Sequence, residues 1–165
     1  MEPRPIPKLL FSFYEDRPFT ICTRCGESLV HFEQGFLISK MFKAGECLME
    51  YAICQPCHER MILEYSNESK RALQQHHEHH FHELNSLELC AFCKKVSTAE
   101  GEFSVGGLCQ GEALQQAIHI CHGCAENIQG LISESTRDVW RRFREENMPG
   151  PPADVLPTPE PLLIS

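Results

Sequence analysis

No stretch of the chain approaches the ~20 consecutive apolar residues that a membrane-spanning helix requires, so no membrane association is expected. Near the N-terminus the one apolar patch is Leu9, Leu10 and Phe11. It falls short of the ~7–15 residue core of a secretory signal, and a cytoplasmic location is expected. Positive charge is scarce: 15 Lys and Arg against 23 Asp and Glu leave a net charge of −8. That excludes coating of nucleic acid by bulk electrostatics. A GxxxxGK[ST] phosphate loop is missing. So is HExxH, because HEHHFHE at 77–83 never sets two histidines four apart around a glutamate at the second position. With no nucleophile–base pair and no open metal site in the pattern, the chain does not read as an enzyme.

Proline is nearly absent from the middle of the chain. Pro56 stands alone between Pro18 and Pro149, while four prolines fall in the first 18 residues and six between Pro149 and Pro161. This divides the sequence into an extended arm over 1–19, a folded region, and a tail over 149–165. Prolines remove donors and fix φ, so the tail is expected to be disordered or extended. A linker role is the plainer reading of the tail; its apolar end, Leu162, Leu163 and Ile164, could instead serve as a short docking motif.

What the chain has in excess is cysteine, ten in all. Eight form four CxxC pairs: Cys22/Cys25, Cys54/Cys57, Cys90/Cys93 and Cys121/Cys124. Between the first two pairs lie 28 residues and between the last two 27, an internal repeat of units of about 36 residues. Ile53-Cys54 and Ile120-Cys121 recur at the third knuckle position. The quartets Glu68-Ser69-Lys70-Arg71 and Glu134-Ser135-Thr136-Arg137 recur further on, one residue out of register. These echoes point to duplication and to modules over 20–87 and 88–148.

A CxxC turn aims two thiolates at one point about 2.3 Å from each sulfur, and two turns close a tetrahedron around Zn²⁺ with no open position. Two zinc ions per chain are therefore expected, held by the eight paired cysteines. Disulfides are the alternative, but nothing points to export. Rubredoxin-type iron uses similar spacing with a CxxCG turn on both sides, whereas here only Cys25 is followed by glycine. Cys54 to His58 matches the CxxCH haem-attachment string, a coincidence within an eight-cysteine repeat. Sequential pairing within each unit is favoured over crossed pairing of Cys22/Cys25 with Cys90/Cys93. Cys47 and Cys109 lie outside the pairs and read as small buried residues of the hairpins.

Gly26 suits the left-handed turn of a knuckle. The stretch from Ser28 to Ile53 reads as a strand followed by a hairpin, with turn signals at Gly35 and Ala44-Gly45. Cys54-Gln55-Pro56-Cys57 opens a helix with proline in its first turn. Met61, Ile62, Tyr65, Ala72, Leu73, Phe81 and Leu84 extend helical periodicity over nearly 30 residues. In the second unit, Glu102–Cys109 and Ala113–Ile120 form a hairpin. A helix then starts near Cys121, with an apolar stripe of Ile128, Leu131, Ile132, Val139 and Phe143. The fold class is α+β: two small modules, each of knuckle, hairpin and long helix, whose helices pack on each other or on a second copy.

Knuckle, hairpin, then two cysteines on the first turn of a helix resembles the treble-clef zinc finger, twice, over about residues 20–75 and 88–145. The second copy, LCAFCKKVS followed by ICHGCAENIQGLI, is also similar to the zinc-binding domain at the N-terminus of the ClpX unfoldase. That resemblance covers about 45 residues. It implies Cys90, Cys93, Cys121 and Cys124 as ligands, and that family's module dimerises and recruits adaptors or substrates. The hairpin here is longer, and partner choice does not transfer.

Two clusters invite sharper readings. His76, His77, His79, His80 and His82 lie on the first long helix, where His76/His80 and His79/Glu83 could each clasp a metal; a solvated polar face is the plainer account. Arg137, Arg141, Arg142 and Arg144 surround Trp140 and Phe143. A cationic helix end complements the macrodipole, and the functional alternative is a nucleic-acid contact with Trp140 stacking. Eight zinc-bound thiolates and two Zn²⁺ would take the formal charge to about −12, which disfavours nucleic acid. Trp140 projects away from the helix stripe. It is expected to line an interface, with a second copy or with a partner protein; packing on the first helix as core is the alternative. The sequence reads best as a non-enzymatic zinc-binding adaptor acting through protein contacts or self-association. Nucleic-acid binding is the alternative, and a Cys₄ iron electron carrier a weaker one.

Overall fold

The computed structural model describes residues 4–31, 34–82, 85–97 and 101–148. The tail expected over 149–165, with its apolar end at Leu162, Leu163 and Ile164, lies outside them. Five strands form one antiparallel sheet: β1 (Arg4–Pro5), β2 (Phe36–Lys43), β3 (Glu46–Cys54), β4 (Glu102–Gln110) and β5 (Ala113–Cys121), in the order β1-β5-β4-β2-β3. Four helices accompany it: α1 (Gln55–Leu63), α2 (Asn67–His80), α3 (His122–Leu131) and α4 (Glu134–Asn147). Mixed helix and sheet was the expectation.

The two hairpins close on two-residue turns. Ala44 and Gly45 both take positive φ, 52° and 81°, the type I′ geometry whose twist matches that of the flanking strands. The strand expected just after Ser28 is absent; a single 3₁₀ turn, Leu29–His31, occupies that place. Gly35 then enters β2 at φ 99°, where a Cβ would sit 2.6 Å from the carbonyl oxygen of Cys109. Only glycine lets the chain pass that close.

Neither long helix is continuous. The first ends at Glu64 and restarts with Ser66 as N-cap, its Oγ accepting from the Ser69 amide. The second breaks after Leu131 and restarts with Ser133, which accepts from Thr136 N–H. Each serine is in extended backbone and satisfies a donor that a helix start leaves orphaned. The apolar period runs through both breaks, which is why the sequence reads as one helix.

The two caps touch. Ser66 Oγ and Ser133 Oγ are 2.9 Å apart, Ser66 N–H donates to Thr136 Oγ1 at 3.0 Å, and Ser133 N–H donates to Ser69 Oγ at 2.8 Å. The 67 residues separating Ser66 from Ser133 also carry the closing pair Lys43–Glu46 of one hairpin onto Gln110–Ala113 of the other. The same step carries the irregularity after Met41 onto that after Leu108. Between β2 and β4, Ser39 faces Gly106, its own counterpart. A pseudo-two-fold axis therefore passes through the Ser39–Gly106 pair and the two capping serines, and this matching replaces the quartets that were out of register.

Across this axis the halves exchange their second helices. Trp140 and Phe143 of α4 pack on Tyr51 of β3, with ring centroids 5.9 and 5.2 Å away. His76 and Phe81, on and just after α2, pack on Phe92 in the second knuckle at 5.0 and 5.8 Å. The other face of the sheet is covered by the arm. Leu10 is fully buried, and its Cδ1 lies 2.8 Å from where a Cβ on Gly107 would be. Gly107 pairs with Ile38 and Tyr51 with Ser39, so arm and helices lie on opposite faces.

Candidate metal centres

The thiols gather sequentially along the chain. Cys22, Cys25, Cys54 and Cys57 form one cluster, Cys90, Cys93, Cys121 and Cys124 the other, and within each all sulfurs lie within 4.8 Å of one another. All ten cysteines are unbridged. In both clusters the first cysteine is buried and the second exposed.

Local structure sets each ligand direction. In the first knuckle Gly26 N–H donates to Cys22 O at 2.9 Å, with Gly26 at φ 77°. The second knuckle makes the same bond from Lys94 to Cys90 O at 2.8 Å, with Lys94 at φ 62° in a conformation lysine rarely takes. Cys54 and Cys121 are the N-cap residues of α1 and α3. Cys57 and Cys124 follow in the first turn, where the helix dipole favours a thiolate. Each knuckle is tied to its hairpin: Thr23 N–H donates to Ala52 O at 2.7 Å, and Ala91 N–H donates to His119 O at 2.8 Å.

A tetrahedron with 2.3 Å metal–sulfur bonds has edges of about 3.8 Å. Cys25 Sγ and Cys54 Sγ are 3.8 Å apart, and Cys93 Sγ and Cys121 Sγ are 3.6 Å apart. The donor sets thus fit a four-coordinate ion with soft ligands, and the two sites are compatible with two metal ions. Backbone amides also reach the sulfurs: Cys54 N–H to Cys22 Sγ and Cys121 N–H to Cys90 Sγ, both 3.4 Å. Burial alone raises the thiol pKa of Cys22 and Cys90. The surrounding N–H donors outweigh it, so Cys22 falls below its usual value and Cys90 falls to about 7. Cys54, Cys57, Cys121 and Cys124 are pushed up, chiefly by burial. Each cluster therefore has one thiol poised to ionise and two whose ionisation waits for a cation.

The remaining sequence candidates fall elsewhere. His58, the histidine of the CxxCH string, is buried outside the sulfur cluster, and burial holds its pKa down to about 4. The rings of His76 and His80 are 4.8 Å apart, but no third ligand joins them among the described residues. His77 stacks on Phe81, and His82 lies past the end of α2, its N–H donating to Ala91 O. Glu83, proposed to pair with His79, lies outside the described residues. Cys109 is buried, as expected, and Cys47 half-buried.

Trp140 is core, not interface. It is 1% exposed, and its Nε1–H donates to Tyr65 Oη at 2.9 Å. Of the arginines around it, Arg137 donates to Gln129 O, Arg141 pairs with Asp138, Arg142 pairs with Glu64 at 3.3 Å, and Arg144 is buried. Sequence reasoning missed the Ser66–Ser69–Ser133–Thr136 network; its signal is a hydroxyl pair, spaced Ser-x-x-Ser or Ser-x-x-Thr, nine residues after each last cysteine. It also missed buried His119, whose ring contacts Leu87 O and Ser97 Oγ, both at 2.8 Å.

No protein-family model matches the chain, and no curated protein or solved structure matches it. The likeness to treble-clef fingers and to the ClpX zinc-binding domain therefore rests on cysteine spacing and knuckle sequence.

Proposed function

We propose that the protein is a non-enzymatic zinc-binding adaptor whose two treble-clef-type sites hold one Zn²⁺ each. The observation that carries this reading is the pair of four-sulfur clusters, each with all sulfurs within 4.8 Å and one edge, 3.8 or 3.6 Å, near that of a zinc tetrahedron. Cys22, Cys25, Cys54 and Cys57 hold one ion, and Cys90, Cys93, Cys121 and Cys124 the other. A zinc ion with four protein ligands has no position for substrate or water, so it supplies folding energy, not chemistry. It fixes each knuckle to the first turn of α1 or α3, and so fixes the hairpin between them. Eight reduced thiolates suit a reducing compartment, which supports a cytoplasmic location.

A protein partner is favoured over nucleic acid because Arg137, Arg141 and Arg142 are engaged within the chain and Arg144 is buried. Exposed Phe13, Tyr14, Ile21 and Val96 supply apolar contact surface instead. Elemental analysis of protein purified without added metal tests the zinc assignment and should give two zinc per chain. One ion per chain, or visible absorption from iron thiolate, overturns it. Salt-dependent binding to random-sequence DNA or RNA would overturn the choice of protein partner.

A further inference from the structure

The pseudo-two-fold axis makes the two outer edges of the sheet equivalent, yet the chain treats them differently. On the β5 edge, Arg4 and Pro5 pair with Leu114 and Ala113. Beside them Asn85 Oδ1 accepts from the Ala117 amide at 2.6 Å and from Arg4 Nη2 at 2.9 Å. An extended segment with an arginine thus completes that edge. The equivalent stretch of β3 runs from Glu46 to Glu50. Nearer its C-terminal end the edge is closed, because Ala52 exchanges bonds with Thr23, N–H to Oγ1 at 3.1 Å and O from N–H at 2.7 Å. Ala52 therefore turns its backbone groups outward, and by the two-residue period of a strand so does Glu50. Among the described residues nothing pairs with the Glu50 backbone on that side.

The open edge is the floor of a cleft of about 280 Å³. Met49 and Met148, on the helix side of the sheet, supply one wall, and Ser12, Tyr14 and Glu50, on the arm side, supply the other. Tyr14 is 87% exposed, and the Glu50 carboxylate accepts from Phe13 N–H at 2.9 Å. A strand laid along this edge would send alternate side chains to an apolar wall and to an acidic, aromatic one.

From this placement we infer that the Glu46–Glu50 edge of β3 binds an extended basic segment of a partner protein, in which Lys or Arg alternates with apolar residues, by strand addition. The inference rests on the adaptor reading and gives it a partner class. Glu50 and the ring of Tyr14 attract cations, and the chain carries −8 overall. A second copy fits poorly, because antiparallel pairing of two β3 edges about Leu48 sets Glu46 against Glu50 twice, and like charges opposed across strands repel. The chain's own residues 149–165 hold Asp154 and Glu160 and no Lys or Arg.

The test uses the full-length zinc-loaded chain and two labelled octapeptides, one alternating Arg with Val and one alternating Glu with Val. The Arg peptide should bind at least about tenfold more tightly than the Glu peptide. At saturation it should slow hydrogen exchange of the Glu50 amide by about tenfold or more, since that N–H becomes paired. Glu50→Pro removes the outward donor, a change that edge strands tolerate, and Glu50→Lys reverses the charge. Both should abolish binding with two metal ions retained, and the Lys variant serves if the Pro variant does not fold. Metal content is measured on the same samples, so a failed metal assignment is separable from a failed docking site. Equal binding of the two peptides overturns the inference, as does a Glu50 amide unmoved at saturation. A Glu50 amide already protected in the free chain also overturns it, because the edge would then be filled from within.

Discussion

Two residues at matched places in the two knuckles show how far a side chain can depart from the backbone's preference. Gly26 and Lys94 both occupy the left-handed position after the second cysteine of a knuckle, at φ 77° and 62°. Left-handed backbone costs a non-glycine residue about 1 kcal/mol, partly offset because glycine loses more freedom on folding. Lys94→Gly should therefore stabilise the protein by about 0.5–1 kcal/mol in chemical denaturation, and Gly26→Lys should destabilise it by a similar amount. Trp140 shows the converse, a residue whose surroundings leave no latitude. Trp140→Ala is expected to cost about 3–5 kcal/mol as a large buried side chain. Trp140→Phe keeps much of the volume but removes the Nε1–H bond to Tyr65 Oη, and should cost about 0.5–1.5 kcal/mol. Thermal unfolding with metal content followed in parallel separates these losses from loss of the ions.

At the scale of elements, α2 and α4 are the same helix used twice, but their core positions differ. The step of 67 residues sets His76 where α4 has Phe143. Phe143 is 3% exposed against Tyr51, whereas His76 packs on Phe92 with its Nε2 buried and unpartnered among the described residues. Burial first, then the charges of His80 and His77, hold the His76 pKa below its ordinary 6.5. The unfolded chain thus takes up a proton that the folded chain refuses, and stability contributed here falls as pH drops below 6.5 toward the folded value. His76→Phe should raise stability at neutral pH by about 1 kcal/mol, by removing an unsatisfied buried nitrogen, and should make the acid limb of denaturation curves between pH 5 and 7 shallower, leaving the part due to buried His58 and His119. An acid limb as steep as before would show that His76 is not among its sources. The same helices mark where the sequence stopped being legible. Cysteine spacing disclosed all eight clustered thiols, and the Ala44-Gly45 turn disclosed the hairpin, because both signals are local. The breaks at Ser66 and Ser133 were hidden because the apolar stripe serves both sides of each break. What fixes the breaks is a contact between residues 67 apart.

On the scale of the whole molecule, repeat spacing implied two units but could not reveal that each braces the other. The first cluster hangs on a knuckle and α1, and Tyr51, on the strand that leads to Cys54, is packed by α4 of the second half. A small cavity lined by both Arg24 of the first knuckle and Phe143 marks where that helix arrives. The second knuckle is covered at Phe92 by α2 of the first half. Both exchanged helices start from one shared hydroxyl network, and both hairpins share the β2–β4 ladder. Metal binding to such sites is coupled to folding, so coupling between the sites is expected as well. Cys124→Ser leaves three sulfurs in the second cluster. It is expected to release that ion, to loosen the seat of α2 and the caps at Ser66 and Ser133, and to weaken metal binding at the intact first cluster by about 5–150-fold. This follows from a coupling free energy of about 1–3 kcal/mol. Reciprocity requires Cys57→Ser to act on the second cluster to a similar degree at equilibrium. Competition with a chromogenic chelator, monitored for each variant, measures both effects. Ser66→Ala, which touches no ligand and should cost about 1–2 kcal/mol as a lost cap, should weaken the two sites together. If a chain lacking one cluster holds the other ion as tightly as the parent does, the exchange of helices carries no energy between the halves, and the pseudo-two-fold arrangement is only a record of duplication.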